Sequence, residues 1–129
     1  MIDSGALIAY TYEQNQYRER AREILPEFMK NNRRHITDYV LLEVTNFLLR
    51  KVSFEAAQKT FRQLTNSKEI QVIYNDEVSF NATAKIFDKG RGLSFTDANI
   101  VFHMQQLGLK ELLSFDAGFD KVREIKRIR

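Results

Sequence analysis

Short apolar segments alternate with amphipathic helical segments along these 129 residues, and this alternation constrains the fold more than any other feature. Segments 70–74 and 112–115 are short and apolar, as buried strands are. Elsewhere apolar residues recur at helical spacing, for example Phe54, Ala57, Phe61 and Leu64. Such alternation is typical of parallel sheets covered by helices. It predicts one domain over residues 1–129, folded as a three-layer α/β/α sandwich with a mostly parallel central sheet.

Local signals set the predicted boundaries of these elements. Residues suited to cap a helix are Thr37 or Asp38, Ser53, Asn75 or Asp76, and Thr96. Helices are predicted at 4–11, 14–31, 38–51, 76–88 and 97–107 and from 54 onward, and strands at 1–3, 35–37, 70–74, 112–115 and 124–128. Pro26 predicts a break or kink after Leu25 in the second helix, because proline removes a helical hydrogen bond.

Composition excludes several classes of protein. The chain has no cysteine, so disulfides, thiolate metal sites and cysteine nucleophiles are absent. No apolar run approaches the ~20 residues of a membrane-spanning helix, and we expect a cytoplasmic protein without a membrane partner. The net charge is +3, and the run 121–129 is more basic than the rest. That run predicts either an edge strand with solvated basic side chains or a surface for a polyanion.

Four carboxylates stand among apolar residues, at Asp3, Glu43, Asp97 and Asp116. An ionised acid in such surroundings is costly unless it is paired, hydrogen-bonded or bound to a metal. Asp3 and Asp116 follow predicted strands, and Asp97 opens a predicted helix. In parallel α/β folds these positions meet at the carboxyl edge of the sheet, where ligands bind. Glu43 would reach the same edge from the side of its helix.

Carboxylates without histidine or cysteine suit Mg²⁺ or Mn²⁺ and not zinc. Such a cation can activate water and neutralise charge on a phosphodiester. The positive end of its helix should favour the ionised form of Asp97 by about 0.3–1 kcal/mol. Each acid also has an ordinary structural explanation, as a cap for Asp3, a first-turn residue for Asp97 and a turn residue for Asp116. That explanation is weakest for Glu43, whose helical neighbours are apolar.

Four segments resemble the sequence blocks of the PIN-domain family. They are DSGALI at 3–8, TDYVLLEV at 37–44, LSFTDA at 93–98 and LSFDAGFD at 113–120. The blocks occur in the family's order, each carries one of the four acids, and together they span nearly the whole chain. Each block alone is weak, but four in order with suitable spacing is a specific pattern. The compact size most resembles VapC-type toxins of prokaryotic toxin–antitoxin pairs.

This resemblance implies a parallel sheet flanked by helices and a Mg²⁺- or Mn²⁺-dependent endoribonuclease. It assigns metal binding and catalysis to Asp3, Glu43, Asp97 and Asp116. It also implies RNA as the substrate, a homodimer, and a cognate antitoxin whose tail enters the acidic cleft.

Further side chains are candidates near this site. Ser4 and Thr96 correspond to hydroxyl residues of the family that could orient water. Asp120, one turn after Asp116, is either an acid supporting the ligands or an exposed helix residue. Arg91 could reach a substrate phosphate from near Asp97.

Two other functions remain open from the sequence. One is a housekeeping RNA-processing nuclease of the same fold. The other is a non-catalytic module that holds RNA or a protein with its basic C-terminus. In addition, only Met1 and Ile2 precede Asp3, so either the true start lies upstream or the first strand is shortened, and a short strand would loosen the position of Asp3.

Overall fold

The computed structural model describes residues 1–30, 34–89 and 92–129. Six helices and four strands make up most of these residues. The helices are α1 (Ser4–Thr11), α2 (Arg18–Met29), α3 (Asp38–Lys51), α4 (Phe54–Thr65), α5 (Glu77–Phe87) and α6 (Phe95–Gln106). The strands are β1 (Arg34–Thr37), β2 (Ile70–Ile73), β3 (Glu111–Leu113) and β4 (Lys126–Ile128). A 3₁₀ turn at Ala117–Lys121 separates β3 from β4. Among the described residues, no helix combines the length and apolar character needed to cross a membrane.

The first three residues join two parallel strand pairs into one sheet. β1 pairs with β2, and β3 pairs with β4, both in parallel register. Between the pairs, the amide of Ile2 donates to the carbonyl of His35 at 3.0 Å, and the amide of Asp3 donates to the carbonyl of Leu113 at 3.0 Å. The spatial order is therefore β2, β1, residues 1–3, β3, β4. The predicted α/β sandwich with a parallel sheet is confirmed.

Helix α3 shows how the sequence directs each helix onto this sheet. Its buried side chains Val40, Leu41, Val44 and Leu48 recur at helical spacing on one face. The helix begins as predicted, because the Thr37 hydroxyl accepts a hydrogen bond from the amide of Val40. The buried face joins the core, which includes side chains of the sheet such as Ile2, Ile36 and Leu112.

Two predicted helix boundaries are wrong. Helix α2 begins at Arg18 and not at 14, because the side chain of Asn15 accepts from the amide of Tyr17 and holds the preceding segment as a turn. The helix then continues through Pro26 to Met29, so of the predicted break or kink after Leu25 the break does not occur, and the kink stays a prediction.

A partly buried polar cluster connects α3 and α6 to the end of β2. The side-chain amide of Asn75, two residues past β2, donates to Asp38 at the start of α3. Its carbonyl oxygen accepts from Asn99 of α6 at 2.7 Å and lies 2.9 Å from Nε2 of His103. Asn99 also donates to Thr83 of α5 at 2.9 Å. The cluster sets the relative positions of the two helices that carry Glu43 and Asp97.

Candidate metal centre

One cleft of about 440 Å³ collects all four acids predicted from the sequence. Its lining also includes side chains of the first helix, the 12–17 turn and the end of β3; the full set is Asp3, Ser4, Gly5, Asn15, Gln16, Tyr17, Glu43, Ser94, Asp97, Phe115 and Asp116. Asp3 and Asp116 enter from the carboxyl ends of neighbouring strands, as the sheet topology requires. The structure therefore brings the predicted acids together, and their chemical roles stay predictions.

Asp3 is the most enclosed acid of the cleft, with 4% of its surface exposed. Its carboxylate accepts hydrogen bonds from the hydroxyls of Ser114 at 2.8 Å and Ser4 at 3.3 Å. Burial, together with the negative charges of Asp97 and Glu43, raises the pKa of Asp3 to about 6. The expectation that a short first strand leaves Asp3 loose is wrong, because hydrogen bonds on both carboxylate oxygens and the surrounding core hold it.

Ser114 links two of the acids and was not among the predicted site residues. Its hydroxyl donates to Asp3 and accepts from the amide of Asp116 at 3.0 Å. The carboxylate of Asp116 in turn accepts from the amide of Gly118 at 2.7 Å and caps the 3₁₀ turn. The available signal was a serine that directly follows the apolar residues Leu112 and Leu113, and the structure shows that it is fully buried.

Asp97 helps to cap the start of α6 and also lines the cleft. It occupies the third position of α6 in a capping box, where Ser94 accepts from its amide and its Oδ2 accepts from the amide of Ser94. Ser94, and not Thr96, is therefore the cap of this helix. Burial, followed by the charges of Asp116 and Glu43, raises the pKa of Asp97. The expected stabilisation of its ionised form by the helix end is thus outweighed.

Thr96 borders the site through Glu43. Its hydroxyl donates to Oε1 of Glu43 at 2.7 Å, which ties the start of α6 to the middle of α3. In the structure the hydroxyl orients a carboxylate. Its predicted role toward water stays a prediction.

Asp120 is not among the residues that line the cleft, and it forms an ion pair with Arg127. Both of its carboxylate oxygens accept from Arg127, at 2.7 Å from Nε and 2.6 Å from Nη2. These bonds lower the pKa of Asp120. The side chain of Arg127 is 5% exposed, and its Nη1 lies 3.5 Å from the carbonyl of Ser114. The predicted solvated strand is therefore wrong at Arg127, although β4 does lie at the edge. Arg91 lies outside the described residues.

The donor set fits a hard divalent cation held partly through water. In residues 1–30, 34–89 and 92–129, no three acidic or histidine side chains form a preassembled group that could hold one ion. Mg²⁺ does not require such a cage, since it keeps several waters and takes only one or two carboxylates. Raised pKa values at Asp3 and Asp97 reflect burial and unneutralised repulsion, which a cation would relieve.

Comparison with known proteins agrees with this architecture. The PIN domain family model matches residues 1–125, so the chain belongs to the PIN domain family. Among solved structures it is similar to the toxin VapC20 of Mycobacterium tuberculosis, which is described as cleaving the sarcin–ricin loop. The TM-score is 0.84 at 18% identity, covering 92% of this chain and 91% of that chain. At this identity the likeness shows the fold alone. No curated protein sequence matches this chain.

Proposed function

We propose that this protein is a Mg²⁺- or Mn²⁺-dependent endoribonuclease, acting as the VapC-type toxin of a prokaryotic toxin–antitoxin pair. The observation that carries the proposal is the convergence of four acids in one cleft of a PIN-family chain. RNA as the substrate class is supported by the fold shared with a toxin that cleaves the sarcin–ricin loop.

The side chains of the cleft would have different roles in such a reaction. Asp3, Glu43, Asp97 and Asp116 would hold the cation directly or through water. A bound divalent cation supplies water activation and neutralises charge on the phosphodiester. Ser114 fixes the direction of the Asp3 carboxylate, and Thr96 fixes that of Glu43. In-line attack by water on phosphorus leaves a 5′-phosphate and a 3′-hydroxyl.

The same proposal includes a homodimer and an antitoxin as partners in the cytoplasm. An exposed aromatic cluster supports a protein interface: Phe80 and Phe87 of α5 are 49% and 45% exposed and contact Phe95 at ring-centroid distances of 5.2 and 5.6 Å. Contiguous exposed apolar surface of this kind marks interaction sites. Sedimentation of the purified protein, alone and with the antitoxin, tests both partners.

Cleavage of RNA by the wild type and by Asp97→Asn tests the activity. We expect metal-dependent cleavage by the wild type, inhibition by EDTA, and lost cleavage in the variant with an unchanged circular dichroism spectrum. Sequencing of the fragment ends would give the target and the position of the phosphate. Unchanged cleavage by Asp97→Asn would show that the acidic cleft is not the active site.

A second candidate, a non-catalytic module that holds RNA or a protein, is favoured by one observation. No three-ligand group for a metal ion is preassembled among the described residues, and a module that binds without a metal needs none. This candidate predicts no thermal stabilisation by Mn²⁺ and no cleavage with any divalent cation.

A further inference from the structure

The wall of the acidic cleft beside Asp116 is aromatic and amide-bearing. It consists of Asn15, Gln16, Tyr17 and Phe115. We propose that Tyr17, backed by Phe115, is a stacking subsite for one unpaired nucleobase of the RNA. The inference rests on the proposed function in one respect, namely that RNA enters this cleft.

The two rings form a stacked pair next to a candidate metal ligand. The ring centroids of Tyr17 and Phe115 are 4.8 Å apart with an angle of 6° between the planes. Phe115 directly precedes Asp116 in the chain. Although Phe115 covers one face of its ring, Tyr17 keeps 43% of its surface exposed. Stacking within the fold therefore leaves much of Tyr17 available at the mouth of the cleft.

The backbone of Tyr17 is hydrogen-bonded on both sides and its ring is stacked on Phe115, so the ring is ordered before any ligand binds. Its amide donates to the side chain of Asn15 at 2.8 Å, and its carbonyl accepts from the amide of Ala21 at 2.8 Å. The amide of Asn15 donates to the carbonyl of Tyr12 at 3.2 Å. A ring ordered in this way loses little entropy when a base stacks on it.

The negative charge of the cleft makes stacking a suitable way to bind RNA there. Of the described residues that line it, none is basic and four are acidic. Attraction to the phosphates must therefore come from a cation or from more distant residues. An aromatic face binds a base without using charge, and unpaired RNA bases commonly stack on tyrosine and phenylalanine. Asn15 and Gln16 also line the cleft, and carboxamide groups are suited to hydrogen-bond the edge of a base.

A coupling experiment between ring and base tests this subsite. The probe is a single-stranded RNA of about ten nucleotides selected from a random pool for binding to the Asp97→Asn protein, with one abasic nucleotide moved along it. We expect one abasic position to weaken binding by about 5- to 150-fold. Tyr17→Ala should weaken the parental RNA by a similar factor and be insensitive to the base at that position. Tyr17→Phe should bind as the parent protein does.

Tyr10→Ala is the matched control, because Tyr10 is 39% exposed and lines a different hollow with Leu25 and Met29. It should leave both affinities unchanged. If Tyr17→Ala fails to fold by circular dichroism, Tyr17→Leu replaces it, since leucine retains apolar packing against Phe115 and loses the stacking face.

The subsite would be overturned if the losses of affinity caused by the abasic nucleotide and by Tyr17→Ala multiply independently when both changes are made. It would also be overturned if no abasic position weakened binding. This outcome is separable from failure of the proposed function, which is measured by cleavage of the same parental RNA with the wild-type protein. Cleavage with independent losses contradicts only the subsite. Coupled losses without cleavage in Mg²⁺ or Mn²⁺ support the subsite and contradict the nuclease.

Discussion

The hydroxyl of Ser114 donates a hydrogen bond of 2.8 Å to the carboxylate of Asp3. The same hydroxyl accepts from the amide of Asp116, so one buried side chain sets the spacing of two candidate ligands. We expect Ser114→Ala to lower the free energy of unfolding by about 1–3 kcal/mol, because it leaves buried polar groups without a partner. It should also reduce cleavage and raise the pKa of Asp3, since this hydrogen bond lowers that pKa.

Ser114→Thr is the control, because threonine keeps the hydroxyl. Urea unfolding, cleavage rates and pH titration of stability in EDTA check the prediction. Normal cleavage by Ser114→Ala with wild-type pH dependence would show that Asp3 is positioned by other contacts.

Asp3 should make the metal-free protein less stable as pH rises. Its pKa is raised from 3.8 to about 6 in the folded state, so the folded protein binds more protons between these values than the unfolded chain does. Its contribution is therefore fully present below about pH 4 and is lost as pH rises through about 6, a difference of roughly 3 kcal/mol. In EDTA, Asp3→Asn should be more stable than the wild type above about pH 7, and this advantage should vanish below about pH 4. Denaturant unfolding across pH measures it.

Divalent cation should stabilise the wild type by binding only the folded state. At a concentration 100 times its Kd, the gain is about 2.7 kcal/mol. We expect a thermal shift with millimolar Mn²⁺ that is abolished by EDTA and much reduced in Asp97→Asn. Equal shifts in both proteins would indicate that the cation binds elsewhere.

Thr96→Val should reduce cleavage while preserving the fold. The substitution removes the hydrogen bond of 2.7 Å to Glu43 and keeps the β-branched shape. Thr96→Ser retains the hydroxyl and should keep most activity. Steady-state cleavage and melting temperatures separate the two effects, and equal activity of the valine and serine variants would contradict this role.

The pair of Arg127 and Asp120 should matter more for stability than a comparable surface pair on the same strand. Removing the partner of a nearly buried guanidinium leaves its donors unsatisfied, so Asp120→Ala should lower the melting temperature. Glu111→Ala is the control, because the contact of Glu111 with Lys126 at 3.2 Å joins side chains that are 43% and 71% exposed. Equal melting temperatures of the two variants would show that Arg127 finds other partners.

Local signals predicted much of the fold, and long-range contacts account for most of what was missed. The caps at Thr37, Ser53 and Asp76 were predictable because each depends on a side chain and an amide three residues later. The cap of α6 was misplaced, although Ser94 and Asp97 have the spacing of a capping box.

Asp3, Asp97 and Asp116 were predictable because strand ends and a helix start share one edge of a parallel sheet. Glu43 was indicated by its apolar helical neighbours and by the resemblance of its segment to a PIN-domain block. The supporting contacts were not predictable, since the pairing of Arg127 with Asp120 and of Asn75 with Asn99 depends on tertiary packing. Arg127 has the sequence context of a solvated residue in a basic tail, and its contacts with Asp120 and with the carbonyl of Ser114 form only in the folded chain.

Residues 1–3 precede every described helix and strand in the sequence, yet they lie between β1 and β3 in the sheet. They can be locked into place only after the ribosome has made the segment around Leu113. Closure of the sheet and assembly of the cleft are consequently late, because they depend on contacts between residues distant in sequence. Such contacts form slowly. A nascent chain would lack the assembled acidic cleft until the segment that carries Leu113 and Asp116 has been translated.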